Sequence, residues 1–154
     1  MPPKFTLQTV LEVRHNRAES LEIEFSKLLH REKQLFNEIE ILENNKHALM
    51  EKLQEQMTGD MDLFNVAHLR ANINQHSKLI EDYHHTLAEL QIEIEAKRRQ
   101  LISARQAEET LDILKRKEIK RYKDLESIHE SKELDDIYIS RNFQKRQEVE
   151  INND

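Results

Sequence analysis

Residues 18–42 read AESLEIEFSKLLHREKQLFNEIEIL, in which apolar residues recur at steps that alternate between three and four. This spacing keeps one stripe of a supercoiled helix facing a partner helix. Extended in both directions, the stripe has fourteen positions, of which only Arg14, Glu32 and Lys46 are polar. We call it the first seam: Leu7, Leu11, Arg14, Ala18, Leu21, Phe25, Leu28, Glu32, Leu35, Ile39, Leu42, Lys46, Leu49 and Leu53. It predicts a helix over about residues 5–57.

A second seam with the same alternation follows a short break in the pattern. The break, at about residues 58–62, holds Gly59, the only glycine of the chain. We expect Gly59 to close the first helix in the left-handed conformation and Asp60 to cap the next one. The second seam has only His76 and Lys97 as polar members: Val66, Leu69, Ile73, His76, Ile80, Tyr83, Leu87, Leu90, Ile94, Lys97, Leu101 and Ala104.

Two seams joined by one turn predict an all-α fold, a long two-helix antiparallel coiled-coil hairpin formed by residues 1–154 as a single domain. We expect Leu7 to lie near Leu111 and Leu114, with a three-residue step in the seam beyond Ala104. The second helix should span about residues 63–142 and overhang at its C-terminal end, before a frayed tail at 143–154. Polar seam residues are interpreted as register-setting positions.

Composition limits the possible functions. The net charge is −6, which argues against a protein that binds nucleic acid by neutralising phosphates. There is no cysteine for a disulfide or thiolate site, and no apolar stretch suited to direct membrane insertion. The eight histidines lack metal-ligand spacing, and no catalytic motif is present. We therefore expect no metal, no cofactor and no enzyme activity.

The densest charge run lies in the expected overhang. Residues 115–123, KRKEIKRYK, contain six basic residues and one acidic residue. Such a run is either a solvated helix face or a surface that binds acidic groups of a partner, and the sequence favours neither.

Three blocks resemble the FliJ family of flagellar export proteins and its relatives in virulence secretion systems. The opening FTLQTVL, residues 5–11, is similar to the family's start, and residues 104–117 are similar to its second block. Residues 130–137, ESKELDDI, resemble the family's late Glu/Lys/Asp block, with Ser131 and Asp136 as mild departures. The opening motif favours the flagellar branch.

The resemblance implies a protein that works through partners. These would be the hexameric flagellar export ATPase, in whose centre a two-helix coiled coil acts as a stalk, the membrane export-gate protein and the export chaperones. It also implies a cytoplasmic location, with peripheral association with the inner membrane at the flagellar base.

Two candidate partner-binding surfaces follow. The first, for the ATPase ring, lies where the chain ends meet and comprises Phe5, Leu7, Lys115, Lys117, Lys120, Arg121 and Tyr122. The second, for the export gate, comprises Phe64 and Leu69, apolar residues close to the turn. The alternatives are a general hairpin chaperone that holds unfolded clients, and a structural scaffold that dimerises. The short turn disfavours a prefoldin-like holdase, since it leaves no room for paired strands.

Overall fold

A computed structural model describes residues 5–60 and 62–153. In these residues the chain forms two α-helices and no strand. Helix α1 spans Gln8–Met57, and helix α2 spans Leu63–Asn152. The chain divides into two compact units, one of residues 15–105 and one in which residues 5–14 join residues 106–153.

The unit of residues 15–105 is an antiparallel hairpin. Its helices are linked by side-chain pairs that include Glu43 with His84 at 3.9 Å, Glu24 with Lys97 at 2.9 Å, and Glu19 with Arg105 at 2.9 Å. In these pairs the residue number on α2 rises as the residue number on α1 falls, as expected for antiparallel helices. The predicted all-α helical hairpin is confirmed.

The core of this hairpin is the two predicted seams. Every seam position between residues 15 and 105 is buried or half-buried, so the prediction of these positions is confirmed. A central cluster combines five buried residues from both helices: Leu35, Ile39, Leu87, Leu90 and Ile94. Phe25, Leu28 and Tyr83 pack against it.

The turn differs from the expectation in both of its capping residues. Gly59 has no positive φ. The end of α1 is closed instead by Thr58, the residue after Met57, whose backbone N–H and hydroxyl both donate to the Glu55 carbonyl, at 3.3 and 2.8 Å. Helix α2 is capped by Asp62 and not by Asp60. Oδ1 of Asp62 accepts from the Phe64 N–H at 3.1 Å, which satisfies a donor that the helix leaves unpaired.

In the unit of residues 5–14 and 106–153, the start of α1 accompanies only the first part of α2. Leu11 and Leu111 are buried, and Nη1 of Arg14 donates to the Ala107 carbonyl at 3.0 Å. Every described residue from 123 to 153 is exposed, so the expected overhang of α2 is present.

The predicted three-residue step beyond Ala104 is wrong. Leu7 and Leu114 are 41% and 44% exposed, whereas Glu108 and Lys115 are half-buried. The alternation of three and four therefore continues through polar residues, because the aliphatic stem of a lysine covers apolar surface while its ammonium group stays in water.

The expected helix end near residue 142 is also wrong, since α2 continues to Asn152. No glycine or proline follows Gly59, and residues 144–148, QKRQE, are all good helix formers. Nothing in this stretch supplies a stop signal.

The turn allows a test by two substitutions. We expect Gly59→Ala to raise the free energy of unfolding by about 0.4–1 kcal/mol, since its φ is not positive, a Cβ would meet no atom within 4 Å, and alanine restricts the unfolded chain. Asp62→Ala should lower the free energy of unfolding by about 0.5–2 kcal/mol, because the cap of α2 is lost. Urea unfolding followed by circular dichroism measures both. Destabilisation by Gly59→Ala would contradict the turn geometry.

Candidate partner-binding surfaces

The first surface begins with the residues that lead into α1. The Phe5 carbonyl accepts from the Gln8 N–H at 3.0 Å, and the Leu7 carbonyl accepts from the Leu11 N–H at 2.9 Å. Phe5 is half-buried, whereas Leu7 is exposed. These backbone hydrogen bonds hold the two apolar side chains at the start of the helix.

The α2 part of this surface is the basic run. Lys115 and Tyr122 are half-buried, and Lys117, Lys120 and Arg121 are exposed. All of these residues belong to the same compact unit as Phe5 and Leu7. The seven residues predicted for the ATPase ring therefore belong to one unit, where they lie at the start of α1 and in residues 115–122 of α2.

Arg116 differs from the other cations of the run. Its guanidinium forms a pair with the Asp112 carboxylate, one helical turn earlier, with Nε donating to Oδ2 at 3.1 Å. This hydrogen bond and the charge of Asp112 raise the pKa of Arg116. Five other cations have no ion pair with any residue in 5–60 or 62–153: Lys115, Lys117, Lys120, Arg121 and Lys123. The unpaired cations are the ones available to bind a partner's acidic groups.

The second surface lies in the other unit, at the start of α2. Phe64 is 83% exposed, the highest value among the large hydrophobic residues of 5–60 and 62–153, and the Asp62 cap fixes its backbone. Leu69 is half-buried and belongs to the second seam. The two residues therefore differ, since Phe64 is free to contact a partner and Leu69 also stabilises the hairpin.

The family comparison matches nearly the whole chain. The model of the family described as Flagellar FliJ protein matches residues 3–148 of the 154. The chain belongs to the FliJ family. Searches of curated proteins and of solved structures gave no match. Membership confirms the resemblance seen in the three sequence blocks and makes the chain a component of the flagellar export apparatus.

This FliJ-family chain also has charged contacts across its hairpin that the seam pattern did not reveal. Nζ of Lys97 donates to Oε2 of Glu24 at 2.9 Å, and Arg105 binds the carboxylates of Glu19 and Glu22. Lys97 was predicted as a polar seam residue, but its partner was not. The partners lie beside the seam on α1, at positions that the apolar periodicity leaves unspecified.

The contact with Lys97 alters the titration of Glu24. The hydrogen bond from Lys97, followed by the charge of the same ammonium group, lowers the pKa of Glu24 below its ordinary value of 4.5. A carboxylate with a lowered pKa in the folded state stabilises that state above its unfolded pKa. This contribution is lost as the pH falls through the folded pKa.

Two further observations concern the described residues of the FliJ-family protein. No helix in the described residues is long and apolar enough to cross a membrane. Nor do any described residues bring three histidine or acidic side chains together as metal ligands.

The pair between the helices gives a pH prediction. We expect Glu24→Gln to lower the melting temperature at neutral pH relative to Glu40→Gln, which removes the same charge from α1 at an exposed residue. The difference should shrink as the pH falls below about 4.5, because Glu24 then becomes protonated in the parent protein as well. Melting followed at 222 nm from pH 7 to about pH 3 measures it. A difference that is independent of pH would show that the Lys97 contact does not stabilise the hairpin.

Proposed function

We propose that this FliJ-family protein is the central stalk of the hexameric flagellar export ATPase, promotes assembly and activity of the ring, and links it to the export gate and the export chaperones. The observation that carries the proposal is the unit that contains both Phe5 and the basic run. It combines apolar side chains with cations that have no ion pair in the described chain. In this proposal the protein is cytoplasmic and associates peripherally with the inner membrane through its partners.

The ring-binding surface combines two kinds of contact. Phe5, Leu7 and Tyr122 supply apolar area, which gives affinity when it is removed from water. Lys115, Lys117, Lys120 and Arg121 supply charge, which orients the protein towards acidic groups and accelerates encounter. Such a surface contributes no catalytic group, so any effect on ATP hydrolysis acts through the arrangement of the ATPase subunits.

The gate-binding surface is proposed around Phe64 and Leu69. A phenylalanine that is 83% exposed gains little from the fold and can bury its ring only against another molecule. Exposed aromatic side chains of this kind commonly act as anchors in protein interfaces. Leu69 would contribute the part of its side chain that the seam leaves accessible.

The ring proposal predicts an effect of charge reversal. We expect the triple variant Lys117→Glu, Lys120→Glu and Arg121→Glu to stimulate the cognate ATPase at least about tenfold less efficiently, because like charges across an interface cost several kcal/mol. ATP hydrolysis is measured against protein concentration, together with the hexamer fraction by light scattering. Glu148→Lys with Glu150→Lys serves as a charge-changing control. Full stimulation by a helical triple variant would refute this surface.

The gate proposal predicts a loss of binding from one exposed ring. We expect Phe64→Ala to weaken binding to the cytoplasmic part of the gate protein about tenfold or more, since interface aromatic residues contribute at least ~1–2 kcal/mol. The matched control is Ile92→Ala, which removes an apolar side chain that is 73% exposed elsewhere on α2. Titration calorimetry measures the affinities.

Leu69→Ala needs a second readout, because Leu69 is part of the seam. We expect it to reduce gate binding and also to lower the melting temperature. Unchanged gate binding by both Phe64→Ala and Leu69→Ala would rule out the second surface.

A further inference from the structure

The start of α1 has little buried surface of its own. Of the described residues 5–14, only Leu11 is buried. Phe5, Gln8 and Arg14 are half-buried, and the rest are exposed. A helix end that buries little apolar surface opens at a low free-energy cost. A polar contact between the helices therefore has a large effect on how much of the time this end is paired.

Arg14 makes such a contact with the backbone of α2. Its Nη1 donates to the Ala107 carbonyl at 3.0 Å, and the contact is partly buried. Within a helix this carbonyl also accepts from the N–H four residues later, that of Leu111, and a carbonyl oxygen has a second lone pair for the guanidinium. A hydrogen bond from a charged donor is about twice as strong as one between neutral groups. The guanidinium thus fastens the start of α1 to α2.

The hairpin of residues 15–105 contains the same relation with a side-chain acceptor. Lys97 is a seam residue that binds Glu24, the residue directly before the next seam position of the other helix. Arg14 is likewise a seam residue, and Ala107 directly precedes a half-buried position that continues the second seam. Since alanine has no side-chain acceptor, the guanidinium extends to the backbone. A carboxylate at position 107 should therefore bind a cation at position 14.

The contact also sets the register of this end. In antiparallel helices, a step of one heptad towards the start of α1 corresponds to a step of one heptad along α2. From Arg14 this step leads to Leu7. From Ala107 it leads to Leu114, which precedes Lys115. Leu7 and Lys115 both belong to the ring-binding surface, so the register that Arg14 fixes brings the two parts of that surface level with each other.

We propose that Arg14 is the positioning residue of the ring-binding surface, because its hydrogen bond to Ala107 holds the start of α1 against α2 and keeps Leu7 level with Lys115. This role rests on the proposed binding of the ATPase ring, whereas the anchoring of α1 by Arg14 does not. Without the guanidinium this end opens, and the ring has to order it again on binding. The affinity for a partner falls in proportion to the fraction of molecules in the binding-competent state.

Amide hydrogen exchange of the full chain tests the anchor. We expect Arg14→Met, which keeps the apolar stem and removes the guanidinium, to accelerate exchange of the amides of residues 11–13 at least about tenfold, because a hydrogen bond from a charged group is lost. Amides of residues 87–94, in the central cluster, should exchange as in the parent. Arg17→Met is the matched control, since it removes an exposed cation from the same helix, and it should leave residues 11–13 unchanged. Unchanged exchange in Arg14→Met would overturn the anchor.

Substitution of Ala107 tests whether the guanidinium acts through α2. By analogy with the pair of Lys97 and Glu24, Ala107→Glu should slow exchange of residues 11–13 in the parent and have no such effect in Arg14→Met. Arg14→Lys with Ala107→Glu reproduces the Lys97 pair and should return exchange to the level of the parent. An effect of Ala107→Glu that is the same with and without the guanidinium would show that Arg14 does not act through this contact.

ATPase stimulation tests the positioning role. The concentration of Arg14→Met that gives half-maximal stimulation should rise by the factor by which the paired fraction falls, and the exchange rates supply that factor. The maximal rate at saturation should be unchanged, because the bound ring completes the same surface. A lower maximum would contradict a role limited to positioning.

The outcomes separate this inference from the proposed function. Faster exchange in Arg14→Met without the rise that the paired fraction predicts would refute the positioning role alone, provided that charge reversal of Lys117, Lys120 and Arg121 impairs stimulation. If that reversal also leaves stimulation intact, the ring-binding surface itself is wrong, and the positioning role is wrong with it.

Discussion

The apolar stripe that alternates between three and four residues is the constraint on which the rest of the structure depends. A two-helix hairpin has no other core, and each helix buries only the side that faces its partner. Leu35 is the largest side chain with almost no exposed surface, and many seam residues are only half-buried. Stability therefore accumulates along the length of the hairpin, at roughly 1.5–3 kcal/mol for each apolar side chain that is fully buried.

The same constraint explains why the chain has room for binding surfaces. Only about two residues in seven are needed for a coiled-coil seam, and the others are free to carry charge or exposed apolar groups. Arg105 uses this freedom to join the helices through Glu19 and Glu22. Lys117 and Lys120 use it differently, since no residue of the described chain pairs with them. The seam fixes where each side chain lies on its helix. The residues outside the seam determine which partners the helix binds.

The seam was predictable from sequence because its signal repeats over many turns. The two caps were not, because each depends on the one or two hydrogen bonds of a single residue. Asp60 and Asp62 are equally good capping residues on paper, and only the geometry selects Asp62. Lys115 was missed as a seam position for a related reason. A pattern of apolar residues does not detect a lysine that covers the seam with its stem.

The candidate sites were predictable to different extents. The basic run could be recognised from the sequence. Only the structure shows that Arg116 is paired with Asp112 and so differs from the other cations of the run. Phe64 was chosen for its position next to the turn, and only the structure shows that its ring is 83% exposed. The partners of Lys97 and Arg105 lie more than seventy residues away in sequence. Pairs of this kind depend on the register, which local patterns do not specify.

An export component with an uncovered charged helix has to avoid indiscriminate binding before it reaches its partner. A purely basic overhang would attract any acidic surface, since electrostatic attraction at long range is unselective. The basic run of residues 115–123 and the acidic stretch of residues 124–136 have opposite net charges of equal size, so their fields oppose each other far from the helix, and salt screens each of them beyond a Debye length, about 8 Å at physiological ionic strength. At contact distance the two stretches act separately, so only a partner with the matching order of charges binds well.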